Sequence, residues 1–113
     1  LVLELVNADL GALGALEHLA SSLATELGPR GIRVNSVAPS YIYEDVNKAY
    51  FDWIAAESGR SHAEVYAEKA APTALQRLAS PAEIARATLF LATDLASAVS
   101  GQTLNVDGGY SIA

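Results

Sequence analysis

The feature that most constrains this chain is a long apolar helical stripe that ends at Gly28-Pro29 and leads at once into a β-branched run. Leu10, Leu13, Leu16, Leu19, Ala20, Leu23 and Leu27 recur at steps of three and four, so they share one face of an α-helix. Asn7 or Asp9 can cap its start. Gly28 and Pro29 supply its stop, because glycine accepts the left-handed cap conformation and proline cannot extend a helix. The spacing therefore predicts a helix over 9–27. Ile32, Val34 and Val37, closed by Pro39, then read as a short buried strand over 32–37. Helix, tight turn and strand make an α/β unit.

Next along the chain come a helical excursion and a second such unit. Val46, Tyr50, Trp53 and Ile54 fall on one helical face, and Ser61 with Glu64 forms a capping box for a further short helix. Residues 41–80 are accordingly expected to form a flap beside the sheet. Ser80, Pro81 and Glu83 carry the strongest local signal: serine caps, proline is preorganised for the first helical position, and glutamate reaches back. A helix over 81–93 should bury Ile84, Ala87, Thr88 and Leu91, with Leu89 and Phe90 widening that face. A strand over 103–106 and the turn Asp107-Gly108-Gly109 close the chain.

Composition narrows the classes of function. With 113 residues, 51% hydrophobic and 18% charged, the sequence supports one small globular unit and not two. A net charge of -6 with seven scattered basic residues argues against nucleic acid and anionic membrane surfaces, which need clustered Lys and Arg. The absence of Cys excludes disulfides and thiolate metal sites, and no apolar run approaches a membrane span. His18 and His62 are too far apart to suggest a local metal pair, so no metal is expected. A cytoplasmic location is the default. The chain starts at Leu1 and has no Met, which raises the expectation of a larger parent.

Several ordered motifs then carry a family likeness: Gly31-Ile32-Arg33-Val34-Asn35 with Pro39, Arg77-Leu78, Pro81-Ala82-Glu83-Ile84, Phe90-Leu91-Ala92, and Ser100-Gly101-Gln102 leading to Asp107-Gly108-Gly109. From Gly14 to Gly109 the chain resembles the short-chain dehydrogenase/reductases. That resemblance implies an α/β fold in which 1–113 is the C-terminal part of a Rossmann-like, doubly wound parallel sheet: long helix, strand, helical flap, helix, strand. It implies NAD or NADP as cofactor of an intact parent, with Pro39, Ser40 and Ile42 lining the nicotinamide and the Ile42 backbone meeting its carboxamide. Ser40 departs from the family's Gly. A Thr that touches the pyrophosphate in the family is replaced by Glu44, whose charge repels phosphate.

The same resemblance exposes what is missing. The family's proton-transferring Tyr falls on Asp9 and the Lys four residues later falls on Leu13. An ionised carboxylate cannot donate a proton and Leu carries no charge, so both read as helix cap and core, and no catalytic residue is assigned. Gly11, Gly14, Gly28 and Gly31 do not build the family's phosphate-binding turn, and 1–6 holds no Ser. The chain alone is therefore expected to bind no cofactor tightly. Two readings stand: the substrate-side and oligomerisation half of an NAD(P)-dependent oxidoreductase, or a non-catalytic interaction module derived from one. Both predict a homo-oligomer or a complementing N-terminal half as partner, with Leu16, Leu23, Leu89 and Val106 shielded. Tyr50, Trp53 and Tyr66 read as core before substrate pocket, His18 as a half-buried packing residue, and Asp45, Asp52, Glu57 and Glu64 as a solvated face.

Overall fold

The computed structural model describes the backbone of residues 1–4 and 10–110. Asn7 and Asp9, and with them the expected helix cap, lie outside the described residues, as does the side chain of Leu13. The element order is β1 (Val2–Glu4), α1 (Leu10–Leu27), β2 (Asn35–Pro39), α2 (Asp45–Ser58), α3 (His62–Ala70), α4 (Pro81–Ala92) and β3 (Thr103–Val106). The three strands form one parallel sheet in the order β1-β2-β3, with Val2 opposite Asn35 and Val37 opposite Leu104. Parallel neighbours require crossover connections; α1 supplies the first, and the flap with α4 the second.

The first strand is an addition to the expected elements, and the second lies three residues later than its β-branched pattern suggests. Ile32 is 37% exposed and stands outside the strand. The displacement has a visible cause, because Arg33 serves the neighbouring helix. Its guanidinium donates to the carbonyl oxygens of Leu91 (2.8 Å), Thr93 (3.0 Å) and Val99 (3.2 Å), where α4 ends and the chain turns towards β3. Carbonyls at a helix end have no partner within the helix and need outside donors. Asn35 continues the tie: its side-chain amide donates to Val99 O (2.9 Å) and accepts from Gln102 N (3.1 Å). The Gly-Ile-Arg-Val-Asn and Ser-Gly-Gln motifs thus belong together because side chains of the first satisfy the backbone of the second and of the turn before it. Gly101, with φ of 72°, lets α1 approach closely, and a Cβ there would lie 3.4 Å from that of Ala24.

The apolar residues divide into two cores. Val37, Ala79, Ile84, Leu91 and Ala96 form the sheet core, with Val2, Ile42, Val99 and Val106 packed on it. Phe51, Ala55, Val65, Ala70 and Leu78 form a separate core within the flap. Helical periodicity misassigns faces in three places. On α2 the buried residues are Phe51 and Ala55, while Val46 is 74% and Trp53 60% exposed, with Tyr50 stacked on Trp53. On α4, Ile84 and Leu91 are buried as expected, but Leu89 and Phe90 face outwards. On α1, His18 is exposed and Leu16 and Leu23 are only half-buried. On α2 the pattern picks the wrong face because α3 covers the side that carries Phe51 and Ala55; on α1 and α4 these side chains are left wholly or partly uncovered among the described residues. Both capping boxes form as predicted, at Ser61 with Glu64 and at Ser80 with Glu83. No helix among the described residues is long and apolar enough to cross a membrane.

Candidate functional site

The segment after β2 places the predicted site residues at the junction of sheet and flap. Pro39 ends β2, and Ser40 and Ile42 come after it, all half-buried. Ile42 forms a parallel bridge with Ala79, and Tyr43 N–H donates to Ala79 O at 2.8 Å, so the start and end of the flap are pinned side by side. Beyond them the Ile42 side chain shares a groove of about 480 Å³ with Pro81, Ile84, Ala85, Thr88, Leu89 and Ala92. Its lining is almost wholly apolar, which suits a flat heteroaromatic ring.

The polar groups of this segment are already engaged by the chain itself. The Ile42 carbonyl accepts from Asn47 Nδ2 at 2.7 Å and from Glu44 N at 2.9 Å, which uses both of its lone pairs. Glu44 is the N-cap of α2, and its carboxylate accepts from the N–H groups of Val46 and Asn47, each at 3.3 Å. A carboxylate therefore occupies the helix start, where a phosphate would otherwise be attracted. Ile42 lines the apolar groove, whereas Glu44 sets a carboxylate at the helix start, where a phosphate does not fit.

Sequence reasoning missed a second constellation. Asp52 Oδ1 lies 2.6 Å from His62 Nδ1, and His62 Nε2 lies 2.8 Å from the Tyr43 hydroxyl. The carboxylate accepts the Nδ1 proton of the ring, and in the neutral imidazole Nε2 accepts from Tyr43. Tyr43 also meets Tyr66 edge-on at 4.8 Å and carries Lys48 Nζ 5.0 Å above its ring. Tyr66, half-buried as core, accepts from Leu78 N–H through its hydroxyl. The Tyr43-His62-Asp52 chain ties the linker, α2 and α3 together, and gaps of 10 and 19 residues hide it from any local motif search. Asp45, Glu57 and Glu64 are exposed, as a solvated face requires.

Arg77, Glu83 and the terminal turn border a second cleft of about 430 Å³. Arg77 grips Glu83 with two bonds of 2.7 and 2.9 Å. That grip, aided by the Ser80 backbone N–H, holds the Glu83 carboxyl down to about 2. Gly109, at φ of 84°, passes so close to Ala74 that a Cβ would lie 2.6 Å from the Ala74 Cβ, which explains the glycine in the Asp107-Gly108-Gly109 motif. Among the described residues no three His, Asp or Glu side chains are placed to hold a metal.

Residues 6–111 match the model of the enoyl-(acyl carrier protein) reductase family. Galactitol 2-dehydrogenase of Rhizobium johnstonii is 39% identical over 97 residues, covering 86% of this chain and 34% of that protein. A solved short chain dehydrogenase family protein from Francisella tularensis superposes with a TM-score of 0.81 at 32% identity, over 88% of this chain and 41% of its own. A 3-oxoacyl-[acyl-carrier protein] reductase with bound NAD from Brucella melitensis gives a TM-score of 0.68 at 36% identity, over 88% of this chain and 32% of that one. The chain spans about a third of the length of the curated relatives it matches.

Proposed function

Because the chain belongs to the short-chain dehydrogenase/reductase family, we propose that it is the substrate-side and subunit-contact part of an NAD(P)-dependent oxidoreductase acting on an alcohol or carbonyl group. The observation that carries this reading is the family match over 6–111 on a parallel sheet whose second strand ends at Pro39 and leads through Ser40 to Ile42, which lines an apolar groove. Pro39 and Ile42 would bear on the nicotinamide, and the flap over 41–80 would face the substrate. The bound cofactor would supply the hydride.

Asp9 and Leu13 stand where the family's Tyr and Lys belong, so this chain by itself lacks the pair with which the family protonates a carbonyl oxygen. As an enzyme it works only together with further polypeptide that brings the phosphate-binding turn and the proton donor. Phe90 lies open on α4 and Leu104 on β3, apolar surface that supports self-association. The net charge of -6 with scattered basic residues supports a protein without a nucleic-acid or anionic-membrane partner, and the lack of Cys fits the cytoplasm.

Calorimetric titration of the chain with NADH and NADPH, paired with a carbonyl-reduction assay, tests the catalytic half of the reading: only weak binding and no turnover are expected. Micromolar affinity with turnover would refute it. Light scattering at low micromolar concentration tests the other half, since a monodisperse, folded species with the mass of one chain contradicts the subunit-contact role.

A further inference from the structure

We propose that Asn47 is a built-in competitor for the cofactor's carboxamide at the Ile42 carbonyl. The proposal rests on the reading that Ile42 faces the nicotinamide. Asn47 carries the same primary amide as nicotinamide, and its Nδ2 donates to the Ile42 oxygen at 2.7 Å. With Glu44 N–H on the second lone pair at 2.9 Å, that carbonyl has no capacity left for a ligand.

The contact is not needed to start α2. Glu44 already caps that helix and satisfies the N–H groups of Val46 and Asn47, while Asn is a poor helix former. Asn47 sits at the third helical position, half-buried, with solvent on one side into which its side chain can swing. A ligand amide arriving at Ile42 must displace it and exchanges one hydrogen bond for an equal one. The site thereby forfeits the net gain of that bond, a factor of about ten in affinity for a bond of ordinary strength. Asn47 thus acts as a gate that lowers affinity for the nicotinamide without touching the chemistry.

The test uses the full chain, labelled with ¹⁵N and titrated to millimolar concentration with reduced nicotinamide riboside, which has the carboxamide and no phosphate. Backbone amide shifts of Ile42, Tyr43 and Ala79 report binding. Asn47→Leu should bind about tenfold more tightly than the natural chain. Asn47→Ser, whose hydroxyl is too short to reach Ile42, should behave alike should the leucine variant fail to fold. The corresponding nicotinic acid riboside cannot donate to a carbonyl and should gain nothing from either change. Equal binding by natural chain and variants, or an equal gain for the acid, overturns the gate and leaves the nicotinamide-facing reading intact. No shift at Ile42 or Tyr43 in any form of the chain overturns both.

Discussion

Arg33→Ala should be among the most damaging single substitutions at a half-exposed position, although Arg33 touches neither the groove nor the flap. Its guanidinium reaches three carbonyls that lie 58 to 66 residues away in sequence. A hydrogen bond to a charged donor contributes about 1.5–3 kcal/mol net. When Arg33 is removed Val99 O retains the Asn35 amide and Thr93 O retains the Ala96 N–H, so the main loss falls on the Leu91 carbonyl, with a smaller one at Thr93. Both bonds are only partly buried, so water recovers part of the loss. The expected cost is about 2–3 kcal/mol, which lowers the melting temperature of a domain this size by about 10–15 °C. Arg33→Lys should restore no more than about half, because one ammonium on a flexible stem cannot hold separated carbonyls as a planar fork does. Urea unfolding read by circular dichroism and by the fluorescence of Trp53, the single tryptophan, measures both variants. A loss under ~0.5 kcal/mol for Arg33→Ala, or full recovery by lysine, would show that these bonds do not hold α4 to the sheet.

The caps and the flap give further expected outcomes. Ser80→Ala removes the oxygen that accepts from Glu83 N–H and should cost about 1 kcal/mol in thermal melts; an unchanged melting point contradicts the cap. Glu83 titrates near 2 in the folded chain against 4.5 when unfolded, so its stabilisation is complete above 4.5 and fades as pH falls towards 2. Glu83→Gln should therefore flatten the acid limb of the stability profile in that window, and an unaltered limb would place the acid sensitivity elsewhere. Phe51→Ala empties a fully buried site and should cost about 3–5 kcal/mol. Trp53→Ala, two residues on but exposed, should cost under about 0.5 kcal/mol by chemical denaturation followed by circular dichroism; similar losses for the two would reverse the assignment of helix faces.

Local chemistry makes much of this fold legible in advance. The stop of α1 at Gly28-Pro29, the two capping boxes and the last strand at Thr103–Val106 are written in residues within four positions of one another, where backbone preference decides. The strand at Asn35–Pro39 lies away from its expected place because Ile32 and Val34 carry strand-like side chains, while long-range demands from the end of α4 take Arg33 out of the ladder. Phe51 rather than Trp53 fills the flap core because Val65 and Ala70 of α3 lie against that side of α2, a fact no single-helix pattern contains. At the candidate site, Pro39, Ser40 and Ile42 are reached through family likeness. Asn47 gives no sequence signal, because its importance comes from folding back five residues onto a carbonyl. Charge repulsion captures only part of what Glu44 does, since a glutamate is an uncommon N-cap.

The bridge between Ile42 and Ala79 makes the flap a cassette. The two ends of a loop of nearly forty residues meet at one paired position, and the apolar residues inside it pack on one another and not on the sheet core. A lineage can lengthen, shorten or replace what lies between those two residues while the strands and α4 keep their partners. The anchor points stay constant and the contents are free to drift without eroding the scaffold that holds them.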